Sequence, residues 1–271
     1  MGTMARALTI AGSDCSGGAG IQADLKTFHR FGVFGMSAVT AVVAENTVGV
    51  QGWAAVAPDL VARQIDCCLG DIGADAVKTG MLVDADVIAA VAGRLRAHGA
   101  GNLVVDPVMR AKSGDPLIAP EAVEVLVREL FPLARLVTPN VPEAEALVGH
   151  PLRTEAELRA AAETIRSLGP KVVVMKGGHS PANPAGLCVD FVWDGKEWWP
   201  LEGARGPDRH THGTGCTFSA ALTAMLALGA PLREALSEAK AFITEAIRTA
   251  PGLGGGHGPV NHWASAGPSI R

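Results

Sequence analysis

The chain has 271 residues, 48% hydrophobic and 18% charged, which favours one large soluble domain (residues 1–271) whose core needs no staples. A net charge of −4 with no long run of Lys and Arg excludes nucleic acid as a partner, and no apolar run approaches the roughly 18 residues of a membrane span. Five irregularly spaced cysteines (Cys15, Cys67, Cys68, Cys188, Cys216) argue against a disulfide framework and for a reducing, cytoplasmic compartment.

Short β-branched runs alternate with helical patterns. ALTIAG (7–12) reads as a strand, and GIQADLKTFHRFG follows as a helix with Ile21, Leu25 and Phe28 on one face. MSAVTAVVAEN (36–46) is strand-like. PDLVARQIDCCLG opens a helix on Pro58, with Val61, Ile65 and Leu69 as its stripe. ADAVKTGML (74–82) reads as strand then turn, and DADVIAAVAGRLRAHG as a helix stopped at Gly99. NLVVDPVM (102–109) is a short apolar strand ended by Asp-Pro. PEAVEVLVRELF is a helix, RLVTPN a strand, VPEAEALVG and TEAELRAAAETIRSLG helices, and KVVVMKGG a strand. GLCVDFVWDGKEWWPLEG alternates around Asp194-Gly195, the pattern of a β-hairpin. Two long helices, at about 215–228 and 232–249, precede a loop-like tail that starts at GLGGGHGP.

The apolar runs are continuous, as in parallel strands buried on both faces. The repeated βα order predicts a three-layer α/β/α sandwich with a central, mostly parallel sheet. An eight-fold barrel fits the late hairpin and the paired helices poorly. In open α/β sheets, ligands sit beyond the carboxyl ends of the strands. Ser13-Asp14, Glu45-Asn46, Lys78-Thr79, Asp106, Thr138–Asn140 and Lys176–Gly178 are therefore expected along one edge.

Several stretches there carry chemistry. In AGSDCSGGAGIQAD, Gly18 to Ala23 match the G-x-G-x-x-A dinucleotide fingerprint, with Glu45 ending the next strand 25 residues after Gly20. Five residues, however, separate Gly12 from Gly18, so the loop could wrap a small substrate instead, or be a plain connection. Asn140 and Glu143 form N-x-x-E. This is a helix-capping pattern, and equally an amide and a carboxylate able to organise Mg²⁺ waters. Asp106 ends a buried strand, either as a satisfied structural acid or as part of a metal or phosphate site. Lys176 is either a solvated edge residue or a neutraliser of phosphate. In THGTGCTFSAA (211–221), glycines at a helix mouth form a tight turn or an anion site. Cys216 at that terminus is expected to have a lowered pKa.

Together, AGSDCSGGAGIQADLKTF, VKTGML, DPVM, AKSGDPL, TPNVPEAEAL, MKGGH and THGTGCTFSAA, in this order over nearly the whole chain, closely resemble the hydroxymethylpyrimidine/phosphomethylpyrimidine kinases of thiamine biosynthesis, in the ribokinase-like superfamily. The resemblance implies ATP and Mg²⁺, a homodimer, and two successive phosphorylations of 4-amino-5-hydroxymethyl-2-methylpyrimidine. By it, Gly213, Thr214, Gly215 and Cys216 form the anion hole, with Cys216 as base and Thr211 beside the nucleotide. Asn140 and Glu143 hold Mg²⁺ waters, and Lys176 and Asp106 fall on phosphate and metal positions. Gly12, Asp24, Val43, Glu45 and Met81 fall on the pyrimidine pocket.

Two departures stand out. The family usually reads SDSGGGAG where this chain has SDCSGGAG, and QNT where it has ENT, so Glu45 replaces the glutamine that grips the pyrimidine. The rival readings are a pyridoxal-type vitamer kinase on the same fold, a dinucleotide-binding oxidoreductase, and a non-catalytic pyrimidine sensor. Retention of Lys176, the N-x-x-E pair and the whole anion hole weighs against the sensor.

Overall fold

The computed structural model describes residues 4–109, 117–178, 183, 185–207 and 209–265. The stretch AKSGDP (111–116) and His179 of MKGGH lie outside the described residues. Among the described residues nine strands form one sheet: β1 Arg6–Asp14, β2 Phe34–Asn46, β3 Gly49–Ala55, β4 Ala76–Thr79, β5 Leu103–Val105, β6 Leu136–Val137, β7 Val172–Met175, β8 Leu187–Trp193 and β9 Trp198–Ala204. Their order is β3-β2-β1-β4-β5-β6-β7-β8-β9. The strands from β2 to β7 run parallel, and β3, β8 and β9 add antiparallel edges.

The continuous apolar runs are divided between two cores by the period of two. Leu8, Ile10, Val77, Leu103, Val105, Val137 and Val173 face one side. There they meet α2 (Pro58–Cys67), α3 (Ala85–Ala97), α4 (Pro120–Val125), α5 (Val141–Val148) and α6 (Glu155–Ser167). Ala7, Ala76, Val104, Leu136, Val172 and Val174 face the other side. That side is covered by α1 (Gly20–Arg30), α7 (Thr214–Ala227) and α8 (Leu232–Arg248). This is the expected three-layer sandwich. Gly99, at φ +59°, ends α3 as the glycine stop required.

The strand β3 has no counterpart in the sequence reading. GVQGWAA is largely exposed and lacks an apolar face, so its pairing with β2, rather than its own pattern, makes it a strand. The helix begun at Pro120 keeps α geometry only to Val125, then widens over Leu126–Leu130.

Candidate active site

The carboxyl ends of β1, β2, β4, β5, β6 and β7 open into a cavity of about 830 Å³. Its wall includes Gly12, Val43, Glu45 and Met81 on the β1–β2 side, Asp106, Asn140, Glu143 and Lys176 in the middle, and Thr211 with Gly213–Cys216 from the start of α7. Asp24 is the exception. It lies beneath the wall, fully buried, bound to Lys78 Nζ at 3.0 Å and accepting from Thr9 Oγ1 at 2.6 Å. It therefore corrects the expectation of a pocket residue. Its place on α1, three residues after Ile21 and four before Phe28, turns it toward the sheet.

At the centre, Lys176 Nζ lies 2.7 Å from Asp106 Oδ1 and 3.8 Å from Glu143 Oε2. Asp106 also accepts from Thr138 Oγ1 at 3.1 Å and Ser219 Oγ at 3.2 Å, so the buried acid is satisfied and belongs to the site as well. Burial works against its charge, but Lys176 and then Lys78 hold its carboxyl below the usual range. Burial likewise works against the Lys176 ammonium, which Asp106 and then Glu143 keep above its usual range. The capping reading of N-x-x-E holds, at a place where both residues line the cavity. Asn140 Oδ1 accepts from Glu143 N at 2.9 Å, and Glu143 Oε2 accepts from Asn140 N at 2.8 Å, a complete capping box at the head of α5. Burial pushes the Glu143 carboxyl up to about 7, against the pull of Lys176.

The loop before α7 turns on Gly213, at φ +78°, and among the described residues no side chain caps the helix. Helix geometry leaves the N–H groups of Gly215 and Cys216 without an intrahelical acceptor. A Cβ on Gly215 would lie 3.3 Å from Lys176 Nζ and 3.5 Å from Asp106 Oδ2. Free N–H groups, a helix dipole and an ammonium thus converge on one spot, which is the anion-site reading of the turn. The expected low pKa of Cys216 is not what the fold produces. Burial pushes its thiol up to about 12; Lys78 and a hydrogen bond from the Gly20 N–H pull the other way without overcoming it.

The glycine loop after β1 is folded around Asp14. The Asp14 carboxylate accepts from the N–H groups of Ser16 (2.8 Å), Gly18 (3.1 Å) and Ala19 (2.8 Å). The N–H groups that a dinucleotide's pyrophosphate would need are therefore already engaged. His212 Nε2 donates to the same carboxylate at 2.8 Å. Burial opposes the charge, yet the His212, Ser16 and Ala19 bonds hold the Asp14 carboxyl down at about 2. Gly18 and Gly213 meet backbone to backbone: a side chain at Gly213 would overlap the Gly18 carbonyl, and one at Gly18 would overlap the His212 ring.

Sequence reasoning missed His212, which no spacing marks. It also missed Lys240, whose Nζ lies 2.8 Å from Asp190 Oδ2 while Asp190 Oδ1 accepts from Gly177 N at 2.8 Å, fixing the chain just after Lys176. A signal for Lys240 existed, because it interrupts the buried stripe Leu236, Ala239, Ile243 of α8.

Residues 14–261 match the model of the phosphomethylpyrimidine kinase family. The chain belongs to this family. The bifunctional thiamine biosynthesis protein ThiED of Geobacter sulfurreducens is 51% identical over 259 residues, covering 96% of this chain and 52% of that protein. This chain thus spans about half the length of that relative. The hydroxymethylpyrimidine/phosphomethylpyrimidine kinase of Haemophilus influenzae is 48% identical over 266 residues, covering 97% of this chain and 98% of the relative. The solved ADP complex of Bacillus subtilis pyridoxal kinase matches with a TM-score of 0.89 at 42% identity, covering 97% of this chain and 98% of that one. The chain thus shares its ribokinase-like fold with a pyridoxal kinase. Among the described residues no helix is long and apolar enough to cross a membrane.

Proposed function

We propose that the chain uses ATP to phosphorylate the hydroxymethyl group of 4-amino-5-hydroxymethyl-2-methylpyrimidine, and then the resulting monophosphate, in thiamine biosynthesis. The convergence of the α7 N-terminus and Lys176 at Gly215 carries this reading. A γ-phosphoryl group there meets N–H donors and an ammonium, the positioning and charge stabilisation that phosphoryl transfer requires. The ring lies against Gly12, Val43, Glu45 and Met81, with its hydroxymethyl group toward Cys216. Cys216 must first give its own proton to solvent, against the burial that holds it; the hydroxyl proton then passes to its sulfur while the hydroxyl oxygen bonds to the γ-phosphorus. The bond from phosphorus to the β,γ-bridging oxygen breaks, and ADP leaves.

The donor set suits magnesium: Glu143 and Asn140 supply hard oxygens, and a buried carboxyl raised to about 7 is ready to ionise against a cation. Glu143 and Asn140 would hold the ion through its waters. Asp106 would act through its charge, its oxygens being engaged by Lys176, Thr138 and Ser219. When bound, the ion neutralises phosphate charge.

Glu143→Gln keeps the cap, because glutamine suits the same position, but removes the charge. The variant is expected to need more magnesium and to turn over more slowly. The Glu143 pKa is raised from 4.5 to about 7, so the fold favours the acid form, and the metal-free protein loses stability as pH rises through about 7. Magnesium affinity of the native protein should accordingly rise across the same range, and the glutamine variant should lose that slope. A magnesium titration at several pH values checks both; an unchanged profile leaves Glu143 as a cap alone.

The match to a pyridoxal kinase favours a second reading, phosphorylation of pyridoxal-type vitamers. Glu45 separates the two. It is half-buried, with its carboxylate in a cluster with Asp14 and His212 whose ligand-capable atoms all lie within 4.8 Å of one another. Ionised glutamate accepts only, so it suits the amino hydrogens of the pyrimidine but opposes the neighbouring ring nitrogen, and it repels a phenolate oxygen. Glu45→Gln is expected to keep or raise activity on the aminopyrimidine, by up to about tenfold, and pyridoxal should be a poor substrate of the native protein. Loss of most pyrimidine activity in the variant, or native preference for pyridoxal, overturns the substrate assignment.

A substrate panel with ATP and Mg²⁺, read by product mass, tests the whole reading. Mono- and diphosphate of the aminopyrimidine support it; pyridoxal phosphate alone selects the second reading; NAD binding without ATP consumption refutes both. A homodimer is part of the proposal. The β2–β3 edge exposes Val42, Val48 and Trp53, which a second copy would cover.

A further inference from the structure

Phosphoryl transfer leaves the tail after α8 without a task. Five of the seven residues from Gly252 to Gly258 are glycine, and Leu253 is 58% exposed. Fixing such a run costs backbone entropy that little apolar burial offsets. The run is fixed nevertheless, by hydrogen bonds to two places that adjoin the cavity lining.

The first is Thr47, in the turn between β2 and β3, two residues beyond Glu45. Thr47 O accepts from His257 N at 2.7 Å, and Thr47 Oγ1 accepts from Gly256 N at 3.2 Å. Glycine is required for this approach: a Cβ on Gly256 would lie 2.1 Å from Thr47 O, and one on Gly254 2.3 Å from Thr47 Oγ1. The second place is His212, next to Gly213. His212 N donates to Gly258 O at 3.1 Å, and Val260 N donates to His212 O at 3.4 Å. Past these bonds the tail is anchored. Asn261 N donates to Ala246 O at 2.9 Å, His262 Nε2 lies 3.2 Å from Thr217 Oγ1 of α7, and Val260 and Ala264 are buried in the core shared by α7 and α8.

The turn at Thr47 needs such a tie. The strand β3 is the edge of the sheet and largely exposed, so among the described residues no further strand supports the turn. Glu45 before the turn and Gly213–Cys216 after His212 both line the cavity, as does His257 of the tail.

We infer that Gly254–Val260 is a strap that sets the Glu45 wall of the cavity at its distance from the head of α7. Thr47 and His212 are its positioning residues: Thr47 acts through Glu45, and His212 acts through Gly213–Cys216. One wall holds the alcohol and the other the γ-phosphoryl group, so the strap fixes how far apart the reacting atoms stand. The inference rests on the proposed placement of the alcohol against Glu45.

Gly256→Ala tests it. The φ of Gly256 is not left-handed, so alanine there meets only the contact with the Thr47 backbone, which must move. Turnover should fall by about 10²-fold, the cost of a misplacement of about 1 Å, while the ATP KM holds. Peptide hydrogen exchange should quicken across residues 45–50 and stay slow across α7. Unchanged exchange at 45–50 overturns the strap. Faster exchange there with native turnover overturns its positioning role, and so does a loss of ATP affinity that matches the loss of turnover. Should Gly256→Ala fail to fold, Thr47→Val keeps the backbone and removes only the acceptor of the Gly256 N–H. It should show a smaller drop with the same split, and native turnover there refutes the inference. Turnover is compared on whichever alcohol the native protein phosphorylates, and the exchange readout needs no substrate. A native preference for pyridoxal would therefore overturn the substrate assignment without deciding the strap.

Discussion

Cys216→Ala is expected to lower turnover by about 10²–10⁴-fold, the range for loss of a positioned general base, and to leave ATP affinity nearly unchanged. The asymmetry follows from what each atom does. The N–H groups of Gly215 and Cys216 belong to the backbone, and alanine retains both, so the phosphate still finds the head of α7. Only the sulfur, the proposed acceptor of the hydroxyl proton, is lost. The side chain is small and half-buried, so the fold should tolerate its removal. Steady-state kinetics with a direct ATP-binding measurement separates the two effects. Near-normal turnover would leave Cys216 as a packing residue.

Lys176→Met is expected to do two kinds of damage. Turnover should fall by about 10²–10³-fold, the usual loss when one donor to a developing charge is removed. The protein should also lose stability, because Asp106, 1% exposed, is left with two hydroxyl partners and no nearby ammonium at hydrogen-bond distance. Removing one member of a buried pair typically costs about 3–5 kcal/mol. The sign of the pH dependence is fixed. Lys176 holds the Asp106 carboxyl below its unfolded value of 3.8, so its stabilisation is present above that pH and lost as pH falls through the lower folded value. In the variant the same carboxyl rises and protonates. The gap in thermal stability between native and variant should therefore be wide at pH 8 and narrower at pH 5. A gap that does not change with pH would show that packing of the lysine stem, rather than its charge, is what the fold needs.

The sheet was legible because its strands are short and apolar on both faces, and the polar residues that follow them lined up at one edge as the parallel order requires. The edge strand β3 was not legible, because Gly49–Ala55 is made a strand by the open side of β2. The open helix head was visible in the glycines of 211–216, but the state of its cysteine was not. A helix terminus argues for thiolate from local chain alone, whereas α1 and the sheet, both remote in sequence, bury the sulfur and decide the opposite. Asp24 went astray for a different reason. Resemblance placed it in the pocket, while its own spacing from Ile21 and Phe28 put it on the buried face of α1. Glu143 shows that a capping pattern can sit in a cavity wall, since the carboxylate that closes the cap also lines the pocket.

The backbone contact between Gly18 and Gly213 also bears on how the protein comes into being at the ribosome. Asp14 and His212, which flank that contact, are 198 residues apart in the chain. The loop around Asp14 emerges before α7, and the surface it rests against arrives only with the head of that helix. Until then the Asp14 carboxylate lacks the His212 bond that helps hold it ionised. Both ends of the cavity should therefore reach their final form together, when α7 and α8 close over the sheet. A nascent chain that stops before α7 can bury the core beneath α2 and α3 and still lack the Thr211–Cys216 wall of the cavity.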